Sequence, residues 1–335
     1  MTSVQQTVFN LLLTYRCNYE CRHCISDCGP ARRETMSFDE ARRWIDEAAE
    51  CLGPSQIGYT GGEPFLLYEQ LRKLIEYGRQ RHGIAGGVVT NCYWAGNAIS
   101  AGRRIRELHA AGLRNIVVSL DDHHLEFVSP EQVKRVVHAA LGLGISVCVN
   151  TVVTRTGSIR KNDVPRLLGL SPADIARGAV MLKEFGPLKI GRAAREIAPA
   201  EYIETDQADH FDGACGFVTK IPTVTPDGSV FACCCFGNSA GNPADRIGYC
   251  GDAREGGLRR VLSVMEDNLL FRLFAECGPY RVLQLAMASS PWLSTHGRYL
   301  SNCDVCVELY HNPALRETLL ALLRKWSIGK PGERA

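Results

Sequence analysis

Apolar residues occur in short runs separated by amphipathic stretches, and this alternation governs the first two hundred positions. Residues 8–15 are almost continuously apolar, the pattern of a buried strand. Ser37, with Glu40 three positions later, forms a capping box that opens a helix through residue 52. Residues 56–59 read as a second strand, and residues 69–80 have helical periodicity. Further strands are predicted at 87–90, 115–120, 145–153 and 179–185. Helices lie between them at 99–111, at 129–143 with Ser129 as N-cap and Pro130 at the first turn, and at 162–168. Strand and helix thus alternate six times between residues 8 and 195, and six βα units of ~30 residues need about 180. Right-handed crossovers between parallel strands give an α/β fold, an open or closed barrel, with its active site at the C-terminal ends of the strands.

A second region begins near residue 200. Thr225, Pro226, Asp227 and Gly228 form a hairpin signal between two β-rich runs, and helices follow at 257–268 and 313–326. The predicted domains are 1–200, 201–312 and a C-terminal helix and tail at 313–335, with residues 329–335 frayed.

Composition changes this picture in one respect. Hydrophobic residues at 45%, charged residues at 22% and a net charge of +2 are those of an ordinary soluble protein and supply no bulk attraction to nucleic acid. The apolar stretch at 8–13 is far short of a membrane span, and no basic leader precedes it, so a cytosolic location is expected. Fifteen cysteines are too many for such a protein unless they have work to do. In a reducing compartment, clustered thiols bind metal or do redox chemistry.

Cys17, Cys21 and Cys24 have the spacing C-x3-C-x2-C in the loop after the first strand. Three thiolates can hold one face of an iron–sulfur cube and leave one iron open, whereas a zinc site would recruit a fourth ligand, Cys28 or His23. This spacing, at this place in an α/β barrel, resembles the radical SAM superfamily, with His23 where most members have an aromatic before the third cysteine. A second element agrees: Thr60, Gly61, Gly62, Glu63 and Pro64 end the second strand and resemble the family's GGEP segment. The resemblance implies a partial (β/α)6 barrel and an open iron that chelates S-adenosylmethionine. Gly61 and Gly62 would approach the methionine ammonium, and Glu63 would fix the chain or offset that charge. Ser119 and Asp121 after the fourth strand resemble the ribose-contacting segment, and Asn150 on the fifth strand is similarly placed. Gly191, Arg192 and Ala193 resemble a segment of members that carry an auxiliary cluster, which would direct Arg192 to the methionine carboxylate or the substrate.

Cys215, Gly228 and Cys233 form C-x12-G-x4-C across the hairpin, and Cys303 and Cys306 form a downstream C-x2-C pair. A zinc knuckle is one reading of four such thiols. The whole pattern resembles the twitch domain, the shortened relative of the SPASM domain. By that resemblance Cys215, Cys233, Cys303 and Cys306 hold one auxiliary four-iron cluster, making two 4Fe-4S clusters in all. Of the other cysteines, Cys51, Cys92 and Cys148 read as small apolar residues, and Cys28 lines the first loop. Cys234 or Cys235 could give a hydrogen atom to a substrate radical, unless Cys234 rather than Cys233 is the ligand. Asp121, Asp122, His123 and His124 stand at the catalytic mouth, to bind substrate, move protons or cap the next helix. Tyr93 and Trp94 either wall the pocket or pack beside it.

The resemblance implies an enzyme that takes one electron from a flavodoxin or ferredoxin and cleaves S-adenosylmethionine to a 5′-deoxyadenosyl radical. That radical would abstract hydrogen from a ribosomally made peptide, leading to epimerisation, oxidation or cross-linking. The alternatives are a dehydrogenase or epimerase of an aminocyclitol or carbohydrate-like compound and, from another class, a non-catalytic iron–sulfur scaffold. The first strand starts by residue 8, so no leader-binding domain is expected ahead of the barrel.

Overall fold

The computed structural model describes residues 7–204, 211, 213–234 and 247–328; Cys235 and the expected tail at 329–335 lie outside the described residues. Six strands pair in parallel: β1 (Val8–Leu12), β2 (Gln56–Thr60), β3 (Ala85–Thr90), β4 (Leu113–Ser119), β5 (Ser146–Val152) and β6 (Val180–Phe185). The helices that connect them are α1 (Phe38–Leu52), α2 (Tyr68–His82), α3 (Ala98–Ala111), α4 (Asp122–Leu125), α5 (Pro130–Leu141), α6 (Val164–Leu168) and α7 (Pro172–Ala176). The α1 terminus follows from its sequence. Ser37 and Glu40 exchange side-chain and backbone hydrogen bonds, Gly53 ends the helix in the left-handed region, and Ala41, Trp44, Ile45 and Ala48 form its buried stripe. This is the parallel α/β partial barrel expected from the alternation.

The sheet does not stop at the predicted boundary near residue 200. After α8 (Ala193–Glu196), the hairpin strands β7 (Thr223–Val224) and β8 (Ser229–Phe231) and then β9 (Tyr249–Asp252) extend it, in the order β6-β5-β4-β3-β2-β1-β7-β8-β9. β7 runs parallel to β1, with Asn10 opposite Thr223 and Leu11 opposite Val224. β1 therefore has partners on both sides, which suits a strand whose Phe9, Leu11 and Leu12 are fully buried, because an unpaired buried edge would strand its peptide groups.

Four helices complete the described chain: α9 (Leu258–Asp267), α10 (Leu269–Ser289), α11 (Asn302–His311) and α12 (Pro313–Ile328). Glu47 of α1 accepts from the Leu258 and Arg259 amides, tying the first turn of α9 to the barrel. Neither α10 nor α11 was expected. The Gly278-Pro279 pair reads as a breaker, yet two helical halves meet there, with Gly278 at φ 82°. A Cβ at Gly278 would collide with the Gly213 carbonyl, and next to it the Cys215 amide donates to Phe274 O at 2.8 Å. The kink is what lets the Cys215 segment dock on α10.

Gly278→Ala is expected to destabilise the protein by about 2 kcal/mol or more, since it combines a positive φ with a backbone collision. Chemical denaturation of the metal-free chain measures this, and an unchanged midpoint would contradict it.

Candidate functional site

The loop from β1 to α1 has little regular structure, so its shape comes from hydrogen bonds to its neighbours. Cys17 N donates to Gly29 O (3.1 Å), Cys24 N to Cys21 O (3.1 Å) and Met36 N to Leu13 O (2.8 Å). From β2, Gly62 N donates to Thr14 O (2.7 Å) and Glu63 N to Arg16 O (3.0 Å). Gly61 and Gly62 are needed here because a Cβ on either would collide with the Thr14 or Arg16 carbonyl. They also line the cavity described below, but the close approach they permit is to the cysteine loop.

That cavity, of about 380 Å³, opens at the C-terminal ends of the parallel strands. Cys17, Cys21 and Cys24 line it, as do Thr60, Gly61, Gly62, Ser119, Asp121, Asn150 and Cys234. Ser119 and Asn150 are register partners on β4 and β5. Residues more than two hundred positions apart thus converge on one space.

Two expected site residues lie outside the lining of the cavity. Glu63 is fully buried and does not line the cavity; its carboxylate accepts from Phe65 N (2.9 Å), Thr90 Oγ1 (3.0 Å) and Asn91 N (2.7 Å). It fixes the chain between β2 and β3, and burial pushes its carboxyl up to about 7 against those hydrogen bonds. Arg192 is also buried and is not among the residues that line the cavity. Its guanidinium donates to Cys21 O (3.2 Å) and Cys28 O (2.7 Å) and pairs with Asp27 (3.3 Å), while its amide donates to Cys24 O (2.9 Å). Gly191, at φ 60°, lets this segment press directly on the Cys24 and Ile25 carbonyls. Tyr93 and Trp94 do not line the cavity either. Trp94 stacks on Phe65 with 4.0 Å between centroids and donates to Thr90 Oγ1 at 3.0 Å.

The three loop thiols sit in unlike surroundings. Burial pushes Cys17 up to about 12, although Tyr19 N (3.4 Å) and the Asn91 amide (3.7 Å) donate to its sulfur. The Cys28 thiol and amide donate to Cys24 and hold it down at about 6 despite burial, while Cys28 itself is pushed up. Cys28 thus acts as a donor to Cys24 sulfur in the metal-free loop. The fit to a three-thiol cluster is good in this respect, because the donors already aim at sulfur.

Asp121 is fully buried, and its carboxylate faces His124: Nδ1 lies 2.9 and 3.0 Å from the two oxygens, and His124 N donates at 3.0 Å. Val152 N adds a donor at 3.3 Å. Burial raises the Asp121 carboxyl, but the adjacent His124 ring outweighs it and holds the group well below the usual carboxylate range. The direct ribose contact expected of Asp121 competes with these bonds. The His23 ring lies 4.8 Å from those of His123 and His124, and burial holds its pKa down at about 3.

A second, smaller cavity has almost no polar lining. Cys215, Cys233, Cys303 and Cys306 all border it, with Phe217, Phe271, Phe274 and Tyr310. Cys303 and Cys306 are one turn apart on α11, whose N-cap is Ser301, so both thiols face the same way. Four thiols in an apolar pocket suit a soft, thiolate-held metal group. Cys233 borders this cavity and Cys234 the larger one, so one peptide bond separates the two sites. Cys250, which the sequence left without a role, is pushed up to about 12 by burial and by Cys233 nearby. Sequence reasoning also missed Asn10 and Thr223, which line the larger cavity from β1 and β7; the available signal was a lone amide inside an apolar strand. Of the three cysteines read as apolar filler, Cys92 is fully buried and Cys51 and Cys148 are half-buried.

Residues 11–161 match the Radical SAM superfamily. YydG of Bacillus subtilis (strain 168), provisionally named a peptide biosynthesis protein, is 26% identical over 148 residues, covering 43% of this chain and 45% of its own. A GTP 3′,8-cyclase of Paenarthrobacter nicotinovorans is 29% identical over 173 residues, covering 48% and 46%. The match spans a little under half the length of these relatives. Among solved structures, anSMEcpe with bound AdoMet and peptide aligns over 94% of this chain and 99% of its own, at 14% identity and a TM-score of 0.49. No described helix is long and apolar enough to cross a membrane.

Arg192→Ala leaves the Cys21 and Cys28 carbonyls without their buried donor, at an expected cost of about 3 kcal/mol. Iodoacetamide should then label Cys21, Cys24 and Cys28 of the metal-free protein about a hundredfold faster, in proportion to the opening of the loop. Unchanged labelling, read by peptide mass mapping, would show that the loop holds its shape without the clamp.

Proposed function

We propose that this chain, whose residues 11–161 form a radical SAM domain, is an enzyme that modifies a ribosomally made peptide by hydrogen abstraction. One observation carries the reading: the three loop thiols share a cavity with the β2, β4 and β5 strand ends and with Cys234, one residue from a four-thiol pocket. A four-iron cluster with an open iron, when bound, supplies one-electron cleavage of S-adenosylmethionine and hydrogen abstraction from an unactivated carbon.

The rest is the work of the chain. Cys17, Cys21 and Cys24 hold the cluster, and the Asn91 amide and Cys28 support it through hydrogen bonds to sulfur. Ser119 and Asn150 offer hydrogen-bonding groups to the nucleoside. Cys215, Cys233, Cys303 and Cys306 hold a second four-iron cluster, which their shared apolar pocket supports. Cys234 gives a hydrogen atom to the substrate carbon, and the thiyl left behind is restored by one proton and one electron from a flavodoxin or ferredoxin. The likeness to YydG supports a peptide substrate, and epimerisation is the outcome that uses Cys234 as donor.

Anaerobic reconstitution should give about eight irons per chain, from two four-iron clusters. With Cys17, Cys21 and Cys24 all changed to alanine, about four should remain, and no 5′-deoxyadenosine should form with dithionite and S-adenosylmethionine. Undiminished cleavage in that variant would end the radical reading, and one zinc beside only four irons would make the second site a zinc knuckle.

Cys234→Ala should retain all its iron and still form 5′-deoxyadenosine, yet make no epimerised peptide. Wild-type product made in deuterium oxide should gain one deuterium from the exchangeable thiol. A product two hydrogens lighter, made at full rate by the variant, would replace epimerisation with oxidation.

A further inference from the structure

Asn91, which follows β3, is buried and held from three sides. Its backbone N–H donates to Glu63 Oε2 at 2.7 Å, and its side-chain oxygen accepts from Tyr93 N at 3.1 Å. With the oxygen so engaged, the side-chain nitrogen faces the cysteine loop, where it donates to Asn18 Oδ1 at 3.1 Å and to Cys17 Sγ at 3.7 Å. Two amide hydrogens thus meet two acceptors. Glu63 is itself pinned by Phe65 N and Thr90 Oγ1, and Thr90 Oγ1 in turn accepts from Cys92 N at 3.2 Å. Cys92, the next residue, carries a strain that this arrangement explains. It is fully buried and sits at φ 63°, in the left-handed region that a residue with a Cβ rarely enters. The turn there brings the chain back after Asn91, so that Tyr93 N reaches the side-chain oxygen.

We infer that the Asn91 carboxamide, aimed by Glu63 and by the left-handed turn at Cys92, is a built donor to the Cys17 sulfur and raises the reduction potential of the cluster bound at Cys17, Cys21 and Cys24. Electron density on a ligand sulfur opposes the arrival of another electron, and a hydrogen bond to that sulfur withdraws density. A carboxamide neither gains nor loses a proton in the working range of pH, so it remains a donor throughout. Tyr19 N and Cys28 N also reach loop sulfurs, each at 3.4 Å, but they belong to the loop and move with it. Asn91 lies 74 positions from Cys17, and its aim is set by groups outside the loop. A strained backbone kept beside a fully engaged amide is the kind of cost that a positioned group accounts for. Asn91 is thus a tuning residue that acts through Cys17, and Glu63 is a positioning residue that acts through Asn91.

The inference rests on the three-thiol reading above, and the test separates the two. Full-length wild type, Asn91→Leu, Asn91→Ser and Glu63→Gln are reconstituted anaerobically, and iron is counted in each. Each is then titrated electrochemically while the reduced-cluster paramagnetic signal is followed. The relevant signal is the one that changes when S-adenosylmethionine is added, which excludes any auxiliary cluster. Asn91→Leu keeps the shape but has no donor, and it should lower the reduction constant about tenfold, equivalent to about 59 mV more negative for one electron. Asn91→Ser, whose side chain is too short to reach Cys17, should shift it equally. Glu63→Gln sets an N–H against one of the donors that the carboxylate holds, and it should shift the potential the same way by less. Wild-type potentials in the Asn91 variants that hold iron overturn the inference. If neither Asn91 variant assembles the cluster, Glu63→Gln decides in the same way. Loss of the cluster from all three makes Asn91 part of the scaffold of the loop and overturns the tuning role as well. A wild type that assembles no signal responsive to S-adenosylmethionine refutes the three-thiol reading itself.

Discussion

The cysteine loop between β1 and α1 lacks a ladder of its own, so its shape depends on backbone lying directly against backbone. Gly61 and Gly62 bring the end of β2 onto the Thr14 and Arg16 carbonyls, and Gly191 brings the segment after β6 onto Cys24 and Ile25. A side chain at any of these positions would push the loop away by the thickness of a methyl group. Arg192 then fills the remaining need, because a buried guanidinium can satisfy several carbonyls at once. Thiol positions, and everything arranged around them, follow from this grip.

The same economy of distance joins the two thiol sites. β8 carries the chain to Cys233 in the apolar cavity, and the next residue borders the larger one. The hairpin's pairing with β1 makes this possible, since it fixes β7 and β8 to the wall of the barrel. Without that pairing, the four-thiol pocket would be a separate appendage at the end of a linker.

The barrel was legible in the sequence because its signals are local. The Ser37 capping box, Pro130 after Ser129 and the apolar runs of β1 and β5 each specify their own element. The cysteine spacings were legible for the same reason. What stayed hidden depends on partners far along the chain. The β1–β7 pairing joins residues more than two hundred apart, and neither short strand announces its neighbour. The α10 helix was masked by Gly278 and Pro279, whose break serves the docking of Cys215. Arg192 carries charge in a motif that implies a ligand, and only its burial against loop carbonyls reveals a structural use, while Glu63 fixes the chain through groups at and just after the end of β3. The dyad of Asp121 and His124 lay within a polar run that could equally have capped a helix, and Asp121 does both.

The clamp on the cysteine loop also has a timetable. Cys21 and Cys24 are synthesised well before Arg192, which grips their carbonyls and follows 171 positions after Cys21. At cellular elongation rates that gap is about 10–30 s. Throughout it, the nascent thiols have neither the β6-side backbone nor the guanidinium to arrange them, and β1 still awaits β7 on its second edge. The loop therefore sets only after a much later segment has been made. The cell must keep these thiols reduced, and away from stray soft metals, until the barrel closes over them.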